Sequence, residues 1–317
     1  MDNLLIVAGQ VGVLFALMAF GAVLRWRRFL TGEAIDGLIN LLILFVTPCI
    51  IIDVFQRPFS PSMLRGLALA FVISVLCHLA LIAVAKAFVR HRDENVRCPL
   101  LLATVFSNAG FMGIPLEQAV LGDAGVFYGI VYVAVFNLFI WSWGLGTMQK
   151  EKVKVKSEFH FSFFTSKMFV NPGTIGLALG LPLFLLSVEL PAIVRTPIHL
   201  MAGLNTPLAM IVIGYCLWGA KLGRVAKMPV VYIASFIRLL AFPLAVVGVL
   251  FLFRAWLDRD MMLAVVIASA APVAAMVSMF AAKFGRDVDT AVAVVSGTTL
   301  ISIVTLPLVI ALAMAAL

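Results

Sequence analysis

Hydrophobic positions in this chain gather into ten long runs with no alternation and no steady polar face, divided by short clusters of charged and turn-forming residues. The runs cover residues 4–24, 35–55, 63–89, 98–121, 125–147, 171–188, 192–219, 229–253, 261–283 and 289–316. A helix needs about 20 apolar residues to cross a hydrocarbon core of about 30 Å. The pattern therefore predicts an all-α polytopic membrane protein with ten transmembrane helices. Unbroken runs exclude an outer-membrane barrel, whose strands alternate over about 10 residues.

The basic residues orient this array. Seventeen Lys and Arg fall in the alternate loops around 25–28, 86–97, 150–167, 221–227 and 283–286, against five at positions 57, 65, 195, 254 and 259. Positive charge accumulates on the cytoplasmic side, which places the first group in the cytoplasm and both termini outside, in a multi-pass protein of the cytoplasmic (inner) membrane. The longest polar stretch, 148–170, reads as a cytoplasmic linker between two five-helix units, 1–147 and 171–317. Five is odd, so two units of one fold must lie upside down to each other, which is an inverted repeat. Three pairs share an offset near 159: Thr47-Pro48 with Thr206-Pro207, Pro115 with Pro272, and His78 with Arg238.

Candidate chemistry sits where a membrane helix least tolerates polarity. Ser107, Asn108, Gly110, Gly113 and Pro115 interrupt the fourth run, and Ser269, Pro272, Val273 and Ser278 lie in the ninth. Proline removes a donor and clashes with the carbonyl four residues back, at about 3 kcal/mol in a helix interior. Broken fourth and ninth helices are expected, crossing near the midplane, each proline opening a new half-helix. Irregular backbone at that depth survives only inside protein or beside a wet cavity. Two half-helix amino ends there attract an anion, with Asn108 adding two donors and an acceptor. The alternatives are an interhelical hydrogen bond for Asn108 and simple kinks for the prolines.

Three ionisable residues within the runs are candidates for a role. Arg238, about ten residues into the eighth, needs a partner or a wet cavity: it is either a counter-charge for the anion or a bridge to Asp53 or Glu117. Glu117 is either a proton-coupling site or a charge favouring a helix start. His78 is either a satisfied core histidine or a proton relay. Asn137 reads as a helix-pairing group, and Gly176 and Gly180 as a small-residue packing or dimer face.

Composition agrees with the pattern, at 63% hydrophobic and 12% charged residues. The net charge of +8 belongs to the loops, and no nucleic-acid partner is read from it. Cys49, Cys77, Cys98 and Cys216 lack metal or redox spacing and read as small hydrophobes. The acidic start, Met1-Asp2-Asn3, is unlike a signal peptide, so the first run is expected to be retained. No hydrolase, zinc-protease, Walker or dinucleotide motif occurs, so neither an enzyme nor a cofactor is expected.

The stretch Phe106-Ser107-Asn108-Ala109-Gly110-Phe111-Met112-Gly113-Ile114-Pro115-Leu116 resembles the auxin efflux carrier family, in its bacterial permease branch of malonate- and malate-type carriers. Leu121-Gly122, Asn137, Trp143-Gly144, Asn171-Pro172, Thr206-Pro207 and Pro272 extend the likeness over nearly the whole chain. The resemblance implies two inverted five-helix halves, a scaffold that often forms a homodimer, and a moving part that binds a carboxylate where the fourth and ninth helices cross. Asn108 stands where plant members have a substrate-contacting asparagine. The short linker and the apolar Pro272-Val273-Ala274-Ala275 depart from plant members and favour a small organic anion over an indole. The expected function is secondary active transport of a mono- or dicarboxylate. A sodium-coupled symporter of related architecture and an anion channel are the alternatives.

Overall fold

Helix accounts for nearly all of the computed structural model, which describes residues 2–149, 172–219 and 229–317. Most of the expected linker lies outside the described residues. In chain order the helices are α1 (Asp2–Trp26), α2 (Gly32–Val54), α3 (Pro61–Phe88), α4 (Glu94–Val105), α5 (Ile114–Leu121) and α6 (Asp123–Gln149). They continue with α7 (Pro172–Leu185), α8 (Ala192–Trp218, turning at Leu204), α9 (Pro229–Phe253), α10 (Arg259–Ala270), α11 (Met276–Lys283) and α12 (Val288–Ala316). Seven of these, α1, α2, α3, α6, α8, α9 and α12, are long and apolar enough to cross a membrane. The chain is a multi-pass membrane protein.

Polar residues fix where helices begin. Thr31, Asp93, Asp258 and Asp287 each accept a hydrogen bond from a first-turn N–H of α2, α4, α10 and α12, at 2.7–3.2 Å. An N-cap of this kind contributes about 1 kcal/mol. Arg57 and Gln56 meet Asp123 and Val188 at one end of the bundle. Arg286 binds the Met148 carbonyl, and Asp287 the Asn95 carbonyl, at the other. Two of the loops that the charge pattern assigns to one side, around Asn95 and Arg286, thus touch each other and the end of α6.

Close backbone approach builds one part of the bundle from α1, α2, α7 and α8. A side chain on Gly21 would strike the Ile211 backbone, and one on Gly214 the Met18 backbone, so α1 and α8 touch at paired glycines. Gly176 and Gly180 lie against Pro48, Ile51 and Phe55 of α2, so that small-residue face is spent inside the chain. The remaining helices pack around α4 and α10, whose residues 98–105 and 261–270 are buried throughout. Exposed Phe20, Phe71, Leu79, Phe236, Leu252 and Val304 lie on the flanking helices, as a lipid-facing surface requires.

Candidate functional site

Both expected interruptions occur, and they are bonded to each other. After Val105 the chain leaves the helix at Phe106 (φ −101°, ψ 110°), and after Ala270 it does so at Ala271 (φ −57°, ψ 146°). Ser107 and Val273 then form an antiparallel β-bridge. The Asn108 N–H donates to the Pro272 carbonyl at 2.6 Å, and the Ala274 N–H to the Phe106 carbonyl at 2.9 Å. Ser107 and Val273 are therefore the non-hydrogen-bonded pair of the bridge. The outward Val273 N–H reaches Thr298 Oγ1 of α12 at 3.2 Å. Groups freed by each break are satisfied by the other, as burial demands.

The crossing lies away from where the prolines suggest. Pro115 is the second residue of α5, beyond the break, and Pro272 is in the extended strand, four residues before α11 begins. Pro272 therefore does not open its half-helix, and the two prolines do not occupy equivalent positions. The reason lies in the turn ahead of Pro115. Residues 109–113 form a wide π-turn in which Ile114 N–H bonds the Ala109 carbonyl, five residues back. The same device precedes Pro48, with Thr47 bonded to Leu42, and Pro243, with Phe242 bonded to Ile237. Widening the turn moves away the carbonyl that a proline ring would strike, so these prolines ride on helices without breaking them.

What the crossing exposes is a set of donors. Asn108 begins the π-turn with no side-chain cap bond, and its amide has no partner among the described residues. Its carbonyl takes the N–H groups of Met112 and Gly113, and those of Ala109, Gly110 and Phe111 have no partner among the described residues. Open space faces Gly110, whereas Gly113 sits against Ala268 of α10. Ser278, in the first turn of α11, donates its hydroxyl to the Ala275 carbonyl at 2.8 Å, a local bond. The structure thus unites Ser107, Asn108, Gly110, Pro272 and Val273, with Ser278 at the adjoining helix start.

Arg238 serves the other polarity. It is fully buried, and its Nη1 donates to the carbonyls of Val105 (3.2 Å) and Thr104 (3.5 Å), the last of α4. A guanidinium there covers the negative end of the helix dipole. The bridge to Asp53 or Glu117 is overturned: Asp53 pairs with His199 at 2.9 Å, and neither Glu117 oxygen has a partner. A carbonyl end inside the bundle needs a donor as much as a carboxylate does, and Arg238 meets that need. Beside it, Tyr132 of α6 faces Ser107 and Cys77. His78 stacks on Phe139 with ring centres 5.1 Å apart and shares 2.8 Å with the Ser74 carbonyl, leaving Nε2 unpartnered. Asn137 bonds the Val133 carbonyl of its own helix rather than a neighbour, because that carbonyl, one turn back, is its nearest acceptor.

Tyr132 and Thr298 lie at this site, and Tyr132 carries little sequence signal, being a lone polar group on an apolar run. The Gly297-Thr298-Thr299 cluster in the last run was the available clue for Thr298.

A helical bundle whose two central helices unwind and bond across each other, with donors left unspent, defines a membrane transporter. The chain matches the family described as membrane transport protein over residues 6–310, and so belongs to that family, the auxin efflux carriers. No curated protein matches it.

Proposed function

We propose that this protein is a secondary active transporter of a small organic anion, a mono- or dicarboxylate of malonate or malate type, working by alternating access at the crossover. Its ten membrane crossings form two inverted five-helix repeats, residues 1–147 and 171–317. Both termini face the outside of the cytoplasmic membrane, and linker 148–170 faces the cytoplasm. The carboxylate accepts hydrogen bonds from the Asn108 amide and from the N–H groups of Ala109, Gly110 and Phe111. Ser107 and the Ser278 hydroxyl flank it, with Pro272 and Val273 as the opposite wall. Gly113 keeps the turn that aims these donors close against Ala268 of α10, and Pro115 follows on α5.

One observation carries the reading: three adjacent backbone N–H groups and the neighbouring asparagine amide have no partner among the described residues, at a break inside the bundle. The chemistry they match is a carboxylate, which accepts through two oxygens and has about four lone-pair sites. Arg238 supports it by covering the carbonyl end of α4, so that the partial positive charge of the α5 amino end is less opposed.

Uptake of radiolabelled malonate into proteoliposomes tests the assignment. Hydrogen bonds to a charged group contribute about 1.5–3 kcal/mol, so Asn108→Ala should lower malonate uptake by about tenfold to a hundredfold. Pro115→Ala, outside the crossing, should stay within about twofold, since a proline near a helix start withholds no needed donor. An Asn108→Ala protein that matches the parent would remove the site from the crossover.

A further inference from the structure

Glu117 is the one carboxyl group, among the described residues, with both oxygens enclosed and unbonded. It sits in the first turn of α5, and its side chain fills the space that Gly129 of α6 leaves by having no side chain. A Cβ on Gly129 would overlap the carboxyl itself. The helices packed on α5 are α1, α6, α8 and α10. Several of their titratable and charged groups are engaged elsewhere, and none of the others, Arg195, Tyr215 and Cys216 of α8 and Asp260 of α10 among them, bonds either Glu117 oxygen. Arg25 of α1 donates to the Tyr215 carbonyl, and His199 of α8 pairs with Asp53. On α6, Asp123 takes Gln118, Tyr128 lies over Gly66, and Tyr132 faces Arg238. Arg259 of α10 donates to the Met314 carbonyl.

A carboxylate enclosed without donor or counter-ion is not tolerated, and such a group neutralises by holding a proton. A structural glutamate would be given a donor; this one is given a glycine. It is also seven residues beyond Gly110, about 10 Å along a helix, on the segment whose amino end the substrate would engage. We propose that Glu117 is a proton-binding site on α5, and that the protein moves a proton through it together with its carboxylate substrate; the coupling rests on the transporter reading above. In the enclosed state the carboxyl keeps its O–H bond. When α5 shifts against α6 and the Gly129 slot opens to water, that bond breaks and the proton passes to water, leaving the carboxylate hydrated until it takes up another proton.

Two readouts on the full chain in liposomes test the two halves separately. Infrared spectroscopy reports the C=O stretch of a protonated carboxyl as pH is raised. The parent should show a titrating band that Glu117→Gln lacks; superimposable spectra at every pH would overturn the proton site. The second readout is radiolabelled malonate uptake with and without an inside-alkaline gradient of one unit, potassium and valinomycin holding the membrane potential at zero. One coupled proton gives about tenfold accumulation per pH unit. The parent should approach that ratio, and Glu117→Gln should fall to about one. Gly129→Ala keeps the acid but forces it from its slot, and should lower the ratio while eluting as folded protein. Malonate exchange with no response to the gradient would overturn the coupling and leave the transporter reading standing. Absence of any malonate movement would fell that reading and the coupling with it, while the infrared band would still decide the proton site.

Discussion

Arg238 shows how a single buried charge is accommodated in this fold. Its guanidinium spends one nitrogen on the carbonyls that end α4, and its aliphatic stem lies in a fully enclosed site. Uncapping buried carbonyls costs about 1–3 kcal/mol, so Arg238→Gln should lower the thermal midpoint of the purified protein, and Arg238→Lys should recover part of the loss. A midpoint unchanged in Arg238→Gln would mean that the carbonyls find water without it. From sequence, the depth of Arg238 was plain and its partner was not, because a backbone carbonyl leaves no mark on the residue pattern. Asn108 was legible for the opposite reason: an amide flanked by Ser107, Gly110 and Gly113 has no purpose in a plain lipid-spanning helix. Tyr132 escaped notice because its burial beside Ser107 depends on how α6 packs.

At the scale of elements, two kinds of irregularity look alike in sequence and behave differently in space. The true breaks at 106–108 and 271–275 are extended and bonded to each other. The π-turns before Pro48, Pro115 and Pro243 only widen a helix that continues. Proline content points to both, so the interruptions were foreseeable while their positions were not; the position of the first is set by Phe106 and Asn108 finding backbone partners across the bundle. Glycine acts at this scale too. Gly214→Val should strike the Met18 backbone of α1. Overpacking of this kind costs about 1–3 kcal/mol, and a lowered thermal midpoint in Gly214→Val would register it. Normal stability would mean that α1 and α8 separate freely.

For the molecule as a whole, the basic loops give orientation and the contacts give grouping. Arg286, Asn95 and Met148 meet at one end, and Gln56, Arg57, Asp123 and Val188 at the other, so the division of loops into two sets has a spatial counterpart. The cytoplasmic side proposed for the first set rests on charge alone. Impermeant maleimide on intact cells should label Ser62→Cys, at the start of α3, and spare Arg92→Cys until the membrane is opened, in a background lacking Cys49, Cys77, Cys98 and Cys216. The reverse pattern would invert the topology. Substrate class is the least legible property at this scale, since at the proposed site it rests on donors that are backbone groups and carry no residue identity.

The central claim, that a carboxylate binds at the crossover, is tested most directly by the thermal stability of purified protein across a series of mono- and dicarboxylates. A ligand bound to the folded state alone stabilises it by about 2.7 kcal/mol at a hundred times its dissociation constant. At least one carboxylate should raise the midpoint of the parent in proportion to the logarithm of its concentration, and leave Asn108→Ala unmoved at the same concentrations. Equal shifts in parent and variant, or no shift with any carboxylate, would contradict it.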